Sequence, residues 1–368
     1  MNALDERMWY MLLCNKDETD RIMEPQHGRD ILLKERAAII IDNARLTRVY
    51  KHKQLYAEVS KKNWSFEQTF KSAHYDFVLS NLGKDEAEEC KKIVYGDMYC
   101  KKVNAYAYNE PGWGKFVCLN VGTRFFINFM NLALSDWKKH DIPAHVIMNS
   151  LRIAIRTFLG CEAMDFEMDP RGIIPYELGK DIRRPISGEL AYIIGHEFCH
   201  HLLNHFDDTK TSKQILWNTT QGPYEKKIYN TSQKQEFEAD LCSLTLPKYK
   251  EKLYSKVYEG ALIWFLSLQL AETASETIYP SSPLDIKTHP SALDRYKNIR
   301  ENAPCPRNFN SKRIQKVEER VQILAQLLRQ DITDNYGELY DEDIYGSVYL
   351  DKPNTKWRGR ELIDRVDY

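Results

Sequence analysis

The sequence contains no long apolar run. The longest, residues 260–271, is about half of the roughly 20 residues that a membrane-spanning helix needs. We therefore predict that it forms a helix buried in a protein core. Residues 1–20 carry scattered charges and no continuous apolar stretch, so they do not resemble a secretory signal peptide. No membrane association is expected, and the predicted location is the cytoplasm.

An excess of charge of one sign is also missing. The 52 basic and 53 acidic side chains leave a formal net charge of -1. A balanced chain gives no electrostatic reason to expect binding to nucleic acid or to an anionic membrane surface. The 22 tyrosines and 7 tryptophans argue against disorder, because disordered chains contain few aromatic residues.

The sequence has eight cysteines but no C-x-x-C pair. Their scatter argues against a zinc cluster held by cysteines. In a chain of this length, spread cysteines are typical of reduced, buried thiols in a cytosolic protein. We therefore expect no disulfide framework.

Alternating and helical patterns predict an α+β fold. Residues 103–108 and 115–120 are predicted as strands joined by a turn at residues 109–114, and residues 209–230 as a polar loop. Helices are predicted at residues 123–134, 142–158, 187–206, 232–246, 255–273 and 311–330, with one more starting at Pro290. In the third of these, Ser187 is the predicted N-cap.

The central motif is H-E-x-x-H, formed by His196, Glu197 and His200. On a helix the two histidines share one face, so both imidazoles can bind one Zn²⁺ ion. Glu197 lies beside them, where its carboxylate can act as a general base and take a proton from water. The motif predicts a hydrolytic site with one zinc ion per chain.

A catalytic zinc needs a third protein ligand and one open position. The metzincin pattern would place a histidine where this chain has Phe206. His205 would lie on the opposite side of a continuing helix with about 3.6 residues per turn. We therefore expect His205 to face away from the metal, as an exposed or packing side chain.

The predicted third ligand is Glu236. Glu236 and Asp240 are four residues apart on the next predicted helix and share a face. Glu236 can bind the metal while Asp240 accepts a hydrogen bond from the distal ring nitrogen of a ligand histidine. Glu238 points elsewhere on this helix and is the second candidate.

Two histidines from one helix and a glutamate from the next are the ligand set of gluzincin peptidases. The motifs resemble those of the clan that includes the HtpX heat-shock proteases and the CAAX prenyl proteases. In that clan H-E-x-x-H is followed by E-x-x-A-D, matched by residues 236–240, and by T-H-P-x-x-x-x-R, matched by residues 288–295. An upstream N-A-x-A strand is matched by residues 104–107.

The resemblance implies a zincin-like domain and roles for further residues. It implies that His289 stabilises the oxyanion of a tetrahedral intermediate. Arg295 would orient the glutamate ligand or this histidine. Asn104, Ala105 and Tyr106 would form the sheet edge on which a peptide substrate adds as an extra strand.

Within the clan, the motifs look most similar to those of the Lit family of phage-exclusion peptidases, including a histidine at the position of His205. Such proteins are soluble bacterial proteases that cut a translation factor during phage infection. The resemblance therefore implies zinc-dependent cleavage of a protein or peptide substrate, in phage defence or in a triggered stress response. It covers roughly residues 100–300. The predicted organisation is a mainly helical region at 1–92, a catalytic domain at 93–305, and a C-terminal helix and tail at 306–368.

Two other interpretations stay open. In a regulatory or toxin-like protein, a structural zinc would have four protein ligands and would not need Glu197. A zinc hydrolase of small amides, similar to a deformylase, would take a third ligand, often cysteine, upstream of the motif helix. Cys161 is the candidate for that ligand.

Overall fold

The computed structural model describes residues 3–206, 211–219, 222–229, 232–280, 290–341, 343–351, 356–357 and 360–361. This part of the chain is mostly helical and contains a small three-stranded sheet, which is consistent with the α+β class. None of its helices combines the length and the apolar character that crossing a membrane requires. The apolar run 260–271 lies within a buried helix, as predicted.

The N-terminal region is helical, as predicted. Its helices are α1 (Ala3–Tyr10), α2 (Lys16–Met23), α3 (Gly28–Ile41), α4 (Ala44–Val59), α5 (Ala73–Ser80) and α6 (Lys84–Cys90), with a 3₁₀ turn at Glu67–Phe70. The carboxylate of Glu18, which is buried, accepts hydrogen bonds from the backbone N–H groups of Asn15, Phe66 and Glu67. These bonds fasten the start of α2 to the segment before α5, and they satisfy backbone donors that burial would otherwise leave unpaired.

A three-stranded sheet follows, with strands β1 (Val94–Met98), β2 (Ala105–Glu110) and β3 (Gly114–Asn120) in the order β1-β3-β2. The antiparallel β2–β3 hairpin confirms the predicted strands and turn, with bounds shifted by one or two residues. The parallel strand β1 was not predicted, because Gly96 and Asp97 interrupt its apolar pattern. Strand β2 lies at the edge of the sheet among the described strands.

The helices after the sheet are α7 (Val121–Ala133), α8 (Ala144–Leu159), α9 (Tyr176–Leu202), α10 (Gln233–Thr245), α11 (Glu251–Ile278), α12 (Ala292–Asn302) and α13 (Ser311–Asn335), followed by a π-helical turn at Tyr336–Tyr340. Helix α9 is central, because it contacts the sheet and α5, α7, α10 and α11. Its second half is almost entirely buried.

Helix α9 begins eleven residues before the predicted N-cap, which corrects the prediction for Ser187. Pro175 precedes its first residue, and Pro185 lies inside it. A proline inside a helix removes one backbone hydrogen bond. Leu178 and Ile182 are buried on the segment before Pro185, so packing of this segment outweighs the lost bond.

Helices α9 and α11 approach each other closely at two glycines. A Cβ atom on Gly188 would lie 2.2 Å from the carbonyl oxygen of Lys256, and one on Gly260 would lie 2.4 Å from the backbone nitrogen of Glu189. Any larger side chain would therefore push the helices apart. This contact holds α11 directly behind the helix that carries the H-E-x-x-H motif.

The segment predicted as a polar loop forms a hairpin of β4 (Thr211–Thr219) and β5 (Gly222–Tyr229). The loop prediction was wrong because it weighed polarity above the β-favouring residues that these strands contain, among them Ile215, Trp217 and Ile228. Two very short strands, β6 (Lys356–Trp357) and β7 (Arg360–Glu361), pair near the C-terminus.

One cluster of buried apolar side chains takes members from all three predicted regions, including Leu33, Phe198 and Leu324. The stripe predicted on α13 is buried in this cluster. The proposed bounds of the regions stay a prediction.

Behind α8, buried Glu162 pairs with Arg156 at 2.8 Å and with Arg171 at 2.9 Å. Arg156 also donates to the carbonyl of Gly346, so this network fastens the chain that follows α13 to the body.

Candidate metal centre

His196, His200 and Glu236 come together in the interior. The two histidines lie on α9 and the glutamate lies in the first turn of α10. One ligand atom from each residue lies within 4.8 Å of the others, and all three side chains are buried. Among the described residues, this is the group whose chemistry and spacing could hold a metal ion.

The separations of the ligand atoms fit a small tetrahedral cation. The Nε2 atoms of His196 and His200 are 3.0 Å apart, and they lie 3.4 and 3.5 Å from the carboxylate oxygens of Glu236. Ligands about 2.0–2.1 Å from a tetrahedral zinc are separated by about 3.4 Å. The three residues therefore fit zinc without rearrangement of either helix.

Local sequence fixes the start of α10 and so the position of Glu236. Ser232 is the N-cap, and its hydroxyl accepts a hydrogen bond from the N–H of Gln235, whose side chain accepts one from the N–H of Ser232. This capping box sets the first helical turn. Gln235 also donates to the carbonyl oxygen of His205 at 3.2 Å, which links α10 to the end of α9.

Asp240 lies behind His196, as predicted. One carboxylate oxygen of Asp240 is 3.0 Å from Nδ1 of His196, and it also accepts a hydrogen bond from the hydroxyl of Tyr192 at 2.6 Å. When His196 is neutral, the carboxylate keeps its one proton on Nδ1, so that Nε2 presents a lone pair to the centre. Arg295 donates to the other oxygen of Asp240 at 2.8 Å and lies 3.4 Å from Glu236.

These contacts shift the ionisation of the centre. Burial opposes protonation of His196, but hydrogen bonds to Asp240 and Glu236 outweigh it and raise its pKa to about 9. Burial opposes ionisation of Asp240, but the Arg295 guanidinium lowers the pKa of this carboxyl below its usual value. The pKa of His200 is lowered by burial and by the charge of His196. Without a metal, the proton of the pair therefore resides on His196.

His205 does not face away from the centre, so that expectation was wrong. Helix α9 ends at Leu202, and Asn204 adopts a left-handed conformation with φ of 54°. The rotation per residue of a continuing helix therefore no longer applies. The chain turns back, and Nδ1 of His205 lies 2.9 Å from Nδ1 of His200. His205 is buried and contacts His200, as Asp240 contacts His196.

The side chains behind His200 fix its tautomer. Nε2 of His205 lies 3.5 Å from the carboxylate of Glu238, which favours a proton on that nitrogen. The other nitrogen of His205 can then accept the Nδ1–H of His200, and Nε2 of His200 is left with its lone pair. Glu238 therefore orients His205 and does not face the centre, whereas Glu236 belongs to the group that could hold a metal ion.

Glu197 is buried beside His196 on α9, with 9% of its surface exposed. His201, the residue after His200, points to the sheet and donates from Nε2 to the carbonyl of Phe116 at 2.8 Å. This bond anchors the motif helix to β3. His201 is not part of the group that could hold a metal ion.

The residues predicted to bind a peptide substrate lie in strand β2 or just before it. Asn104 precedes β2, and its carbonyl accepts hydrogen bonds from Asn120 and Thr123. Ala105 and Tyr106 belong to the edge strand, and Tyr106 packs with Leu32 of α3 in a small second core. His289 lies outside the described residues, so its role stays a prediction.

The cysteine expectation was wrong for one pair. Cys199, between the two ligand histidines, forms a disulfide with Cys242 of α10. The prediction of reduced thiols failed because pairing depends on the contact between two helices, which spacing in the sequence does not reveal. Cys161 is buried, and its thiol donates to the carbonyl of Arg156 at 3.6 Å. It is not part of the metal-ligand group.

Three further residues of the centre were not identified from the sequence: Tyr192, His205 and Gln235. Tyr192 precedes His196 by one helical turn, as His196 precedes His200, so helical spacing could have indicated it. The positions of His205 and Gln235 depend on where α9 ends and α10 starts.

No family model, curated protein or solved structure matches this chain.

Proposed function

We propose that this protein is a zinc-dependent metalloendopeptidase. The observation that carries the proposal is the buried group of His196, His200 and Glu236, with Glu197 adjacent to the first ligand. Three ligands and a neighbouring carboxylate are the requirements of a hydrolytic zinc site. The other ligand sets weighed from the sequence lack this convergence among the described residues.

The chain supplies the ligands, a base and their supports. When bound, zinc acts as a Lewis acid that lowers the pKa of water and polarises a substrate carbonyl. Glu197 takes the proton of the attacking water and later delivers it to the leaving amine. Asp240 and His205 hold the two imidazoles, and Arg295 neutralises part of the charge of Glu236 and Asp240.

The motifs favour a soluble gluzincin similar to the Lit family, acting on a protein or peptide in the cytoplasm. Strand β2 lies at an edge of the sheet, which is where an extended peptide can add by backbone hydrogen bonding. The proposed oxyanion group is His289. The proposed cellular role is antiphage defence or a stress-triggered response, with one zinc ion per chain.

The two alternatives are less well supported. A structural zinc needs four protein ligands, and the metal-ligand group contains three described residues. A small-amide hydrolase with Cys161 as ligand would need this thiol at the centre, where the structure instead places Glu236. A regulatory protein that binds zinc without cleaving peptides is an outcome of the experiment below.

The test compares the wild type with Glu197→Gln and with the matched control Glu276→Gln, which alters an exposed glutamate of α11. Zinc is counted by elemental analysis, and cleavage is followed by mass spectrometry of new N-termini in unfolded casein and in a bacterial lysate. We expect one zinc in all three proteins and cleavage lost only in Glu197→Gln. Zinc without cleavage by the wild type would favour the regulatory alternative, and equal cleavage by Glu197→Gln would exclude this base.

A further inference from the structure

A cavity of about 380 Å³ lies beside the first half of α9. The start of α13, the end of α7 and Ile263 of α11 complete its walls. Six cationic side chains line it, although the chain as a whole has a net charge of -1: Lys139, Arg184, Lys312, Arg313, Lys316 and Arg320. Such a concentration in one concavity raises the local concentration of anions.

Three of these cations have counter-ions and three do not. Lys139 pairs with Asp181, Arg313 pairs with Glu259, and Arg320 lies 3.5 Å from Asp136. Arg184, Lys312 and Lys316 have no ion-pair partner among the described residues. Among the described residues, the cationic side chains that line the cavity therefore outnumber their acidic partners.

Two further features favour an anion at this place. Asn310 and Lys312 line the cavity at the N-terminus of α13, a helix of 25 residues whose dipole is positive at this end. Burial opposes ionisation of Asp136, yet its pKa is lowered by the N–H of Lys139 and by the charges of Arg320 and Lys316. The cations of the cavity therefore favour the ionised form of this lining carboxyl group.

We propose that this cavity binds a small phosphorylated molecule with at least two negative charges. Lysine and arginine are the usual phosphate-binding side chains, and the volume lies within the range of small-molecule sites. Arg184 is about 18 Å from His196 along α9, at about 1.5 Å per residue. The cavity is therefore separate from the metal centre, and this proposal does not depend on peptidase activity.

The test uses inorganic pyrophosphate as the probe in titration calorimetry at constant ionic strength. We expect one site per chain in the wild type. The double variant Lys312→Gln/Lys316→Gln should bind at least tenfold more weakly, while the control Lys297→Gln, on α12, should bind like the wild type. Circular dichroism verifies that each variant is folded.

Pyrophosphate also binds zinc, so Glu236→Gln serves to separate the two sites. Binding that is unchanged in Glu236→Gln but weakened in the double lysine variant would support the cavity. The absence of binding by the wild type, equal weakening in Lys297→Gln, or binding lost only in Glu236→Gln would each overturn the proposal. Weaker binding of orthophosphate would further support a need for two charged groups.

A different observation concerns the disulfide at the metal centre. Cys199 lies between His196 and His200 on α9, and Cys242 lies on α10, the helix of Glu236. Their Cα atoms are 6.1 Å apart, within the range of ordinary disulfides. Cys199 is 2% exposed and Cys242 is half-buried, so a small thiol or disulfide can reach the pair from the side of Cys242.

We infer that the redox state of this pair controls how tightly the metal is held. Two thiols and one molecule of oxidised glutathione give the protein disulfide and two molecules of reduced glutathione, and the reverse exchange reopens it. The bond ties the two ligand-bearing helices together. It therefore limits their separation, which is the movement that would release the metal. This inference rests on the proposed metal centre but not on peptide cleavage.

The test measures the rate at which a chromogenic chelator removes zinc from oxidised and from reduced wild-type protein. We expect removal to be at least tenfold faster after reduction. Cys242→Ser should lose zinc fast in both states, whereas Cys305→Ser, a control at an exposed cysteine, should respond like the wild type. Equal rates in the two states would overturn the inference even if the melting temperature changed. Failure to bind zinc at all would instead contradict the metal centre.

Discussion

At the scale of single residues, both ligand imidazoles are held through the nitrogen that faces away from the centre. Asp240 holds His196, and His205 holds His200. Such contacts fix the ring orientation and the tautomer, and they raise the basicity of the ligand nitrogen. The protein therefore orients both imidazole rings toward the centre, and metal binding displaces the proton that His196 holds in the metal-free site.

The contact behind His200 gives the first prediction. His205→Phe removes the acceptor of the Nδ1–H group of His200, and we expect zinc affinity to fall by about 10- to 100-fold. His205→Asn keeps a polar side chain and should recover part of the loss. Competition with a fluorescent zinc chelator measures both. Wild-type affinity in His205→Phe would show that this hydrogen bond does not support the ligand.

The two glutamates of α10 give the second prediction. Glu236→Gln removes a charged ligand, so we expect loss of stoichiometric zinc binding. Glu238→Gln on the same helix should retain one zinc, with affinity reduced by no more than about tenfold, because Glu238 acts only through His205. Elemental analysis after dialysis distinguishes the variants. The reverse pattern would identify Glu238 as the ligand.

At the scale of the elements, the close crossing of α9 and α11 supports the motif helix from behind. The third prediction is that Gly260→Ala destabilises the protein by about 1–3 kcal/mol, because its Cβ meets backbone atoms of Gly188 and Glu189. Gly337→Ala is the control, since no atom of the described part of the chain lies within 4 Å of a Cβ at this position. Urea unfolding measures both, and equal stability of the two variants would contradict this account of the crossing.

The helices also show which parts of the structure can be predicted from the sequence. Helical periodicity predicted α10 and α13 well, and four-residue spacing predicted that Glu236 and Asp240 share one face of α10. Local patterns do not reveal packing between distant segments. That limit explains the early start of α9, the return of His205 after α9 ends, and the pairing of Cys199 with Cys242.

At the scale of the whole molecule, stability depends on an acid buried between α9 and α7. Glu189 is fully buried, and Asn131 donates to one of its oxygens at 2.6 Å, while the other oxygen has no hydrogen-bond partner among the described residues. Burial raises the pKa of Glu189 to about 8. Between the ordinary pKa value of 4.5 and about 8, Glu189 is therefore protonated in the folded protein, whereas it is ionised in the unfolded chain.

The fourth prediction follows from the sign of this shift. A raised folded-state pKa gives stability that is complete below the unfolded value of 4.5 and is lost as pH rises to about 8. Glu189→Gln should match the wild type near pH 4 and be more stable near pH 8, by up to about 5 kcal/mol. The difference between their unfolding free energies at several pH values measures this. A difference that does not vary with pH would contradict it.

The most direct test of the metal centre is X-ray diffraction from crystals grown with zinc, with data collected on both sides of the zinc absorption edge. We predict one anomalous peak per chain, bonded to Nε2 of His196, Nε2 of His200 and the carboxylate of Glu236 at about 2.0–2.2 Å, with one position free of protein ligands. A peak held by other residues, a fourth protein ligand, or no peak at these three residues would contradict the account.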